Sequence, residues 1–441
     1  MANPRLIQEI TEDRLSLLLK RNMEISKKLQ NVETKDIFQK ICTSKEDLNM
    51  IDEVPAEEIS KWIDPRTALE QFLPLLSNYE RQEILNFSKI FFIGSSKMKN
   101  SKISGDFPLG NFGFDDMENY YIALPHDHIG YRYEILKVLG KGSFGQVLKV
   151  YDHKTGEFAA LKIIRNDKRF LHQAKREVKI LEHLLREDAS NTANVIHIKN
   201  NFIFRGHMCI VFELMSLNLF ELVKKNKFRG MKVGVVRKFA YSIAIALSLV
   251  HRKQIIHGDL KPENVLLKKY GLTGIKLVDF GSSCYTEGRL LSYVQSRFYR
   301  APEVILEVSP GYDTAVDIWS FGCLVAELVL GQPLLPGRDE EDQLALMMEM
   351  LGPPPGSLLG RSRDRGSRFI SCTTGQPRYL MRGGSRGAPG SRSIQQVLGP
   401  FIKQDQDSLV IDFVRRCLQW EPASRLTADQ ALGHPWLASL F

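Results

Sequence analysis

Two short segments place acidic and amide side chains at spacings suited to phosphoryl transfer. In the loop IIHGDLKPENVLL (255–267), Asp259 is followed five residues later by Asn264, with Lys261 between them. A carboxylate can accept the proton of an attacking hydroxyl, an amide oxygen can coordinate a metal, and a lysine can neutralise charge on a transferring phosphoryl group. In IKLVDFG, Asp279 follows a short strand-like run, and an acidic group at the end of a buried strand suits Mg²⁺ held against nucleotide phosphates.

A glycine-rich stretch, GKGSFGQV, contains Gly140, Gly142 and Gly145, followed by Val147. The pattern GxGxxG alone is ambiguous, because dinucleotide-binding loops have the same spelling and an ordinary hairpin also contains glycines. A dinucleotide loop runs into a helix, whereas QVLKVYDH alternates like a strand. The flanks therefore favour a hairpin that lies over phosphates, with glycines letting backbone N–H groups approach the oxygens.

Lys162 lies within FAALKII, an otherwise apolar strand. A buried ammonium group needs a paired carboxylate. The candidate is Glu177, at the edge of the apolar face of the amphipathic helix predicted over FLHQAKREVKILEHLLR. The alternative is that Glu177 is solvated.

The surrounding elements change character along the chain. Residues 1–63 predict a helical or partly disordered extension, and Asp64 with Pro65 predicts a helix start within 64–130. Strand patterns dominate after Tyr131, and helical patterns dominate from Val235. The predicted architecture is a small β-rich lobe followed by a large helical lobe.

Composition excludes several classes of protein. No run approaches the roughly 18 apolar residues that span a bilayer, and the charged N-terminus does not predict a secretory signal. The six cysteines show no CxxC spacing, so reduced thiols are expected. The net charge of +9 is concentrated between residues 357 and 400, where eight arginines face one acidic residue.

The motifs together resemble a eukaryotic protein kinase, and more closely the dual-specificity tyrosine-regulated kinase family, class II. The general kinase motifs appear in family order, from the glycine loop through the strand lysine, helix glutamate, catalytic loop and DFG to APE (301–303). The finer likeness lies in five stretches: FGSSCY, YVQSRFYRAPEVIL, NTANVIHIKNNFIFRGH, the acidic-histidine box PHDHIGYRYEIL, and ALEQFLPLLSNYERQEILNFSKIFFIG.

This resemblance implies an α+β bilobal kinase fold. Its expected parts are an accessory domain at 64–130 that supports autophosphorylation, an N-lobe at 131–215, and a C-lobe at 216–441 with an Arg-rich insert at 357–400. The implied activity is ATP- and Mg²⁺-dependent phosphorylation of serine and threonine in protein substrates, with Mn²⁺ as another metal. A monomeric catalytic domain is expected in the cytoplasm, with a nuclear location also open, and neither a membrane nor nucleic acid is an expected partner.

The resemblance also assigns roles to individual residues. The implied catalytic residues are Asp259, Lys261 and Asn264, and the implied metal ligands are Asn264 and Asp279. Tyr293 is the implied autophosphorylation site, and Arg297 and Arg300 are the implied clamp for its phosphate. The implied ATP-binding residues, with Phe212 as gatekeeper and Glu213 to Met215 as hinge, are Leu139, Gly140, Gly142, Gly145, Val147, Lys162, Glu177, Phe212, Glu213, Leu214 and Met215.

Two departures from the family leave alternatives open. Gly258 replaces the cysteine usual in this family and the arginine of many kinases, and it adds backbone freedom that could slow the reaction. This supports an alternative reading, a weakly active or inactive pseudokinase scaffold. Leu291 stands where the family has a first tyrosine, so only Tyr293 can be modified there.

The arginine tract raises a third reading, a nucleic-acid-binding protein. Arg-rich loops are most often solvated, and few aromatic residues interleave with these arginines. In the C-lobe, Asp317 is expected to cap backbone groups near the catalytic loop, and Arg425 to pair with Glu303.

Overall fold

The structure, a computed structural model, divides the chain into two compact units. The first unit holds the described residues of Glu46–Leu185 and Ile196–Met215, and the second holds those of Met1–Lys45, Arg186–Val195 and Ser216–Phe441. The structure describes residues 24, 62–94, 110–269, 273–287, 291, 293–362, 366, 369–371, 377–378, 386–402 and 408–438. The predicted N-terminal extension therefore lies outside the described residues, except for Glu24, Trp62 and Ile63.

The first unit is built on one six-stranded antiparallel sheet in the order β1-β2-β3-β4-β6-β5. Its strands are β1 His128–Ile129, β2 Tyr133–Gly142, β3 Gly145–Asp152, β4 Glu157–Ile164, β5 Ile198–Phe204 and β6 His207–Glu213. Alternate residues of β2 and β3, among them Ile135, Leu148 and Val150, are buried in the core. This period of two is the pattern expected of strands with one buried face.

The longer helices described in this unit are α1 Pro65–Phe72, α2 Asn78–Glu83 and α3 Lys168–Glu187, the last of which ends in the second unit. The helix start predicted at Asp64 is confirmed, because its side chain accepts hydrogen bonds from the backbone N–H groups of Arg66 and Thr67 at 3.1 Å. A reciprocal capping box between Ser77 and Glu80 starts α2.

The predicted accessory region packs within the first unit. Phe114 and Tyr121 belong to the same buried cluster as the sheet residues, and Tyr131 belongs to the cluster that includes Ala68 and Ile84 of the accessory region. Part of the accessory region, 95–109, lies outside the described residues. The described part therefore contributes to a core cluster shared with the sheet, and the partly buried Phe87 packs against both clusters.

One buried arginine anchors α2 to the sheet. Arg205, in the turn between β5 and β6, has a fully buried side chain and donates to Glu83 Oε2 at 2.7 Å and to Glu80 Oε1 at 3.2 Å. It also donates to the Tyr121 hydroxyl at 3.0 Å. Such a cation needs its partners, because an unpaired charge in this position is costly.

The second unit is mainly helical, as predicted. Among its described residues the named helices are α4 Leu219–Lys225, α5 Val233–Arg252, α6 Pro302–Ile305, α7 Ala315–Leu330, α8 Glu340–Leu351, α9 Gly356–Leu359, α10 Ile394–Leu398, α11 Leu409–Cys417, α12 Ala428–Leu432 and α13 Pro435–Ala438. Two short ribbons pair β7 Ile255–Ile256 with β10 Cys284–Tyr285 and β8 Val265–Leu267 with β9 Ile275–Leu277.

Helix α5 departs from the expectation that no apolar run is long enough to span a bilayer. By length and composition alone it could pass as a membrane-spanning helix. However, 83% of its apolar window is buried inside the protein, as in the core helix of a folded domain. We therefore assign α5 to the core of the second unit.

The boundary expected at residue 215 is only partly observed. Arg186–Val195 lies within the predicted N-lobe but belongs to the second unit. Asn194 explains this placement, because its carbonyl accepts from the Leu277 N–H at 2.8 Å and its amide donates to the Ser242 carbonyl at 3.2 Å. The segment is thus bonded to β9 and α5.

The pairing predicted between Glu303 and Arg425 is confirmed. Two guanidinium nitrogens of Arg425 each lie 2.6 Å from a carboxylate oxygen of Glu303. Both side chains are almost completely buried. This bidentate pair joins α6 to the segment before α12, and its burial makes it sensitive to loss of either partner.

Candidate active site

The glycine-rich stretch is a β-hairpin, so the dinucleotide-binding alternative is wrong. Gly142 pairs with Gly145 at the closed end, and Gly140 pairs with Val147. Gly145 has a φ of +159°, and a Cβ there would lie 2.3 Å from the Ile163 carbonyl oxygen. Only glycine permits this close approach between β3 and β4. Leu139, beside Gly140, is 41% exposed on β2.

Lys162 of β4 and Glu177 of α3 form the predicted ion pair. The Lys162 ammonium lies 2.8 and 3.0 Å from the two carboxylate oxygens of Glu177. The side chains are 13% and 3% exposed, respectively. Helix α3 presents Glu177 because its buried face, with Ala174, Val178 and Leu181, packs inward. The pair holds a positive charge at a fixed place on the sheet.

The four residues predicted to contact the nucleotide base are consecutive. Phe212 lies in β6 opposite Ala160 of β4 and Ile198 of β5. Glu213 ends the strand, and its carboxylate accepts from the His197 N–H at 3.4 Å. Leu214 and Met215 follow, and all four residues are half-buried. Their role in binding ATP stays a prediction.

Residues 257–264 form a loop in which the predicted catalytic groups are held close together. Lys261 donates to Asp259 Oδ2 at 2.7 Å. The Asn264 amide donates to the Asp259 carbonyl at 2.8 Å and to Asp259 Oδ2 at 3.2 Å. Asp259 thus has a fixed orientation, which is what a group receiving a proton from a substrate hydroxyl requires.

Asp317, in the first turn of α7, binds backbone groups of this loop, as predicted. Its carboxylate accepts the backbone N–H of His257 at 2.8 Å and that of Gly258 at 2.9 Å. Burial alone would raise the pKa of Asp317, but hydrogen bonding and the nearby charge of His251 lower it below its usual value. A buried carboxylate therefore stays ionised and fixes two loop amides.

Gly258 is constrained, contrary to the expectation that it adds freedom. Its N–H is bound to Asp317, and its carbonyl accepts from the Gln295 N–H at 2.8 Å. Its φ is +77°, and a Cβ would lie 2.7 Å from the Ser282 carbonyl oxygen. Glycine fits this position because other residues rarely adopt such a φ.

Asn264 and Asp279 flank the same end of the β8–β9 ribbon. Val265 pairs with Leu277, and the Val278 N–H donates to the Asn264 carbonyl at 3.0 Å. Asn264 precedes β8 and Asp279 follows shortly after β9, so this pairing brings both residues to the same end of the ribbon. Amide and carboxylate oxygens are hard ligands that suit Mg²⁺, so these residues fit a divalent cation.

Of the two arginines predicted to bind phosphate on Tyr293, one lies over the Tyr293 ring and the other bonds elsewhere. Tyr293 is 65% exposed, so it is not packed. The Arg300 guanidinium lies 3.9 Å from the centroid of the Tyr293 ring and also donates to Glu340 at 2.9 Å. Arg297 instead donates to the carbonyls of Gly337 and Arg338. The structure brings Arg300, rather than Arg297, to the tyrosine.

Ser296 is a site residue that the sequence did not reveal. Its hydroxyl donates to Asp259 Oδ1 at 2.8 Å and accepts from the Lys261 ammonium at 2.9 Å. Its one signal in the sequence is its position three residues after Tyr293, in the stretch YVQSRFYRAPEVIL.

Two of the described arginines of the Arg-rich insert, Arg361 and Arg386, form ion pairs. Arg386 binds both carboxylate oxygens of the buried Asp342 at 2.7 and 2.8 Å, and Arg361 binds Glu421. The hydrogen bonds from Arg386 are the main reason that the pKa of Asp342 lies well below its usual value. Arg363, Arg365, Arg368 and Arg382 lie outside the described residues.

The sequence is similar to those of known protein kinases. Residues 133–437 match the family described as the protein kinase domain. The chain is 49% identical over 394 residues to dual specificity tyrosine-phosphorylation-regulated kinase 3 of Macaca fascicularis, which covers 85% of this chain and 67% of that protein. It is 49% identical over 391 residues to kinase mbk-2 of Caenorhabditis elegans, covering 85% of this chain and 46% of that protein.

A third relative is the human dual specificity tyrosine-phosphorylation-regulated kinase 4, which is 46% identical over 371 residues, or 84% of this chain and 69% of that protein. The chain therefore spans about two thirds of its primate relatives and less than half of the nematode one. Because both the kinase domain and the region before it are matched, this chain belongs to the dual-specificity tyrosine-phosphorylation-regulated kinase family.

Proposed function

We propose that this chain is a protein kinase that transfers phosphate from ATP to serine and threonine of protein substrates and autophosphorylates Tyr293. The observation that carries the proposal is the cluster around Asp259, whose carboxylate is bound by Lys261, Ser296 and the Asn264 amide. A scaffold that only binds partners has no need of an ionic cluster built around one carboxylate.

Each candidate catalytic residue of the second unit has its own role in the proposed reaction. Asp259 orients the substrate hydroxyl and accepts its proton. Lys261 neutralises charge on the transferred group, since its ammonium lies beside Asp259. Asn264 and Asp279 would hold Mg²⁺, or Mn²⁺ in its place, and such a cation offsets charge on the nucleotide phosphates.

The residues of the first unit serve the nucleotide. The glycine-rich hairpin offers backbone N–H groups to phosphate oxygens, because its glycines carry no side chain that would keep them apart. Lys162, held by Glu177, supplies a positive charge for the phosphates. Protein kinases in general use ATP and a divalent cation, and the choice of Mg²⁺ is part of this proposal.

The pseudokinase alternative rested on Gly258. The loop containing Gly258 keeps its hydrogen bonds to Asp317 and Gln295, so glycine at this position does not disorganise it. Location in the cytoplasm or nucleus and a monomeric state stay predictions.

Expression in bacteria beside an Asp279→Asn variant tests the function. Mass spectrometry measures phosphate on Tyr293, and a radiolabel assay measures transfer to a basic peptide containing serine, with arginine before it and proline after it. Wild-type protein should show both, and the variant neither. Folded wild-type protein that binds ATP but transfers no phosphate would establish the scaffold reading instead.

A further inference from the structure

Residues 115–121, which we call the clamp segment, lie against the closed end of the glycine-rich hairpin. Both elements belong to the first unit. The hydroxyl of Tyr120 donates a hydrogen bond to the Gly142 carbonyl at 2.8 Å. Gly142 is one half of the pair that closes the hairpin, opposite Gly145. Tyr120 therefore contacts the hairpin close to its turn.

A neighbouring lysine reinforces this contact. The Lys141 ammonium lies 3.8 Å from the centroid of the Tyr120 ring and 3.4 Å from Asp116 Oδ2. A cation over an aromatic face is attracted by the ring electrons. Consecutive hairpin residues, Lys141 and Gly142, are thus held by the face and the hydroxyl of one tyrosine.

Arg165 connects the hairpin turn to the clamp segment from the end of β4. Its side chain donates to the Glu118 carbonyl at 2.6 and 2.9 Å and to the Ser143 carbonyl at 3.3 Å. Its backbone N–H donates to the Phe144 carbonyl at 3.0 Å. The hairpin turn is therefore bonded through Arg165 as well as through Tyr120.

The clamp segment is itself anchored to the sheet. Asp115 is 1% exposed and accepts from His207 at 2.7 Å and from the Asn166 amide at 2.9 Å. Within the segment, the Tyr120 N–H donates to Asp116 Oδ1 and the Asp116 N–H donates to the Tyr120 carbonyl, both at 2.9 Å. Tyr120 is thus presented from a rigid support and is only 7% exposed.

We propose that Tyr120 is a positioning residue that holds the glycine-rich hairpin in its nucleotide-binding conformation. A hairpin rich in glycine has many accessible conformations, and ordering it on binding reduces affinity. Tyr120 restricts these conformations before the nucleotide arrives, so nucleotide affinity depends on a residue of the accessory region. This inference rests on the proposed kinase function.

The test compares Tyr120→Phe with wild type and with Tyr79→Phe. Tyr79 is a matched control, because it lies in the accessory region and packs against Phe112 and Phe114 rather than against the hairpin. Isothermal titration measures the Kd of a non-hydrolysable ATP analogue with Mg²⁺. Steady-state assays measure KM for ATP, KM for peptide and kcat, and thermal unfolding reports general damage.

We expect Tyr120→Phe to raise the Kd of the analogue and the KM for ATP by about three- to tenfold, the size typical of one neutral hydrogen bond. The KM for peptide should change by less than about twofold, and Tyr79→Phe should resemble wild type. An unchanged Kd in Tyr120→Phe, or an equal rise in both variants, would overturn the proposal.

If Tyr120→Phe does not fold, two lysine variants test the proposal instead. Lys141→Gln removes the cation above the Tyr120 ring, whereas Lys137→Gln changes another exposed lysine of β2. Weaker binding of the analogue in Lys141→Gln alone supports the proposal, and equal binding in both contradicts it. Wild-type protein that fails to bind the analogue overturns the kinase function itself, whereas normal wild-type binding with unaffected variants overturns only the role of Tyr120.

Discussion

Ser296 is bonded to Asp259 twice, through its backbone N–H at 3.0 Å and through its hydroxyl at 2.8 Å, and both bonds end on Oδ1. The second carboxylate oxygen is left to Lys261 and Asn264. One residue of the segment between the DFG and APE motifs thus orients the group proposed to accept the substrate proton. The order of that segment and the orientation of Asp259 are physically connected.

Ser296→Ala should lower kcat by about ten- to a hundredfold, because misplacing a reacting group by a small distance is costly. The KM for ATP should change little. Steady-state phosphorylation of a peptide measures both. Ser296→Thr, which keeps a hydroxyl, is the matched control and should retain most of the activity; an Ala variant as active as wild type would contradict the positioning role.

Gly258→Ala should destabilise the second unit, and Gly258→Arg should do so at least as strongly. The cost of a side chain at a left-handed φ is roughly 1–2 kcal/mol, to which the 2.7 Å approach to the Ser282 carbonyl adds strain. Urea unfolding measures the change, with Gly234→Ala as control, since a Cβ there meets nothing within 4 Å. A Gly258→Ala variant that unfolds at the same urea concentration as Gly234→Ala would contradict the prediction.

Glu327 should make stability depend on pH. Burial raises its pKa from 4.5 to about 7, although the Tyr299 hydroxyl, donating at 2.6 Å, opposes this. Between these two values the folded protein binds a proton that the unfolded chain does not bind. The free energy of unfolding therefore contains a favourable contribution at about pH 4.5 that is lost as the pH rises through 7.

Glu327→Gln keeps an acceptor for Tyr299 but cannot ionise, so its melting temperature should decline less than that of wild type between pH 5 and pH 7.5, a range of about the width of this shift. Thermal unfolding across that range compares the two. Parallel curves for wild type and variant would show that Glu327 does not titrate as described.

Arg425→Leu should destabilise the protein by about 3–5 kcal/mol, because it leaves Glu303 buried without its partner. The double variant Glu303→Leu with Arg425→Leu should recover part of this loss, since both buried charges are then absent. Urea unfolding of the two single variants and the double variant gives the comparison. Additive losses in the double variant would argue against a direct pair.

The sequence was sufficient wherever a local pattern or a burial argument applied. Strand alternation after Gly145 distinguished a hairpin from a dinucleotide loop, and the cost of a buried ammonium predicted the partner of Lys162. Thr427 and Gln430, three residues apart, form the capping box that starts α12. These features depend on residues close in sequence or on one long-range pair with a strong energetic requirement.

Tertiary relationships were less accessible. Ser296 reaches Asp259 across 37 residues, and Tyr120 reaches Gly142 across 22, with no spacing rule to reveal either contact. The constraint on Gly258 cannot be predicted from residue type, because it depends on the φ of the backbone in the folded protein. A glycine in a loop appears flexible in sequence, but here two backbone hydrogen bonds hold it.

The buried cluster of Arg205 with Glu80 and Glu83 has a consequence for where the kinase domain can be cut. The kinase family match begins at residue 133, yet this arginine draws its carboxylates from a helix some fifty residues earlier. Removing the earlier segment would strip a buried cation of its counter-charges. A chain cut at the start of the family match should therefore be less stable than one that keeps this helix, because a buried guanidinium group without counter-charges is costly.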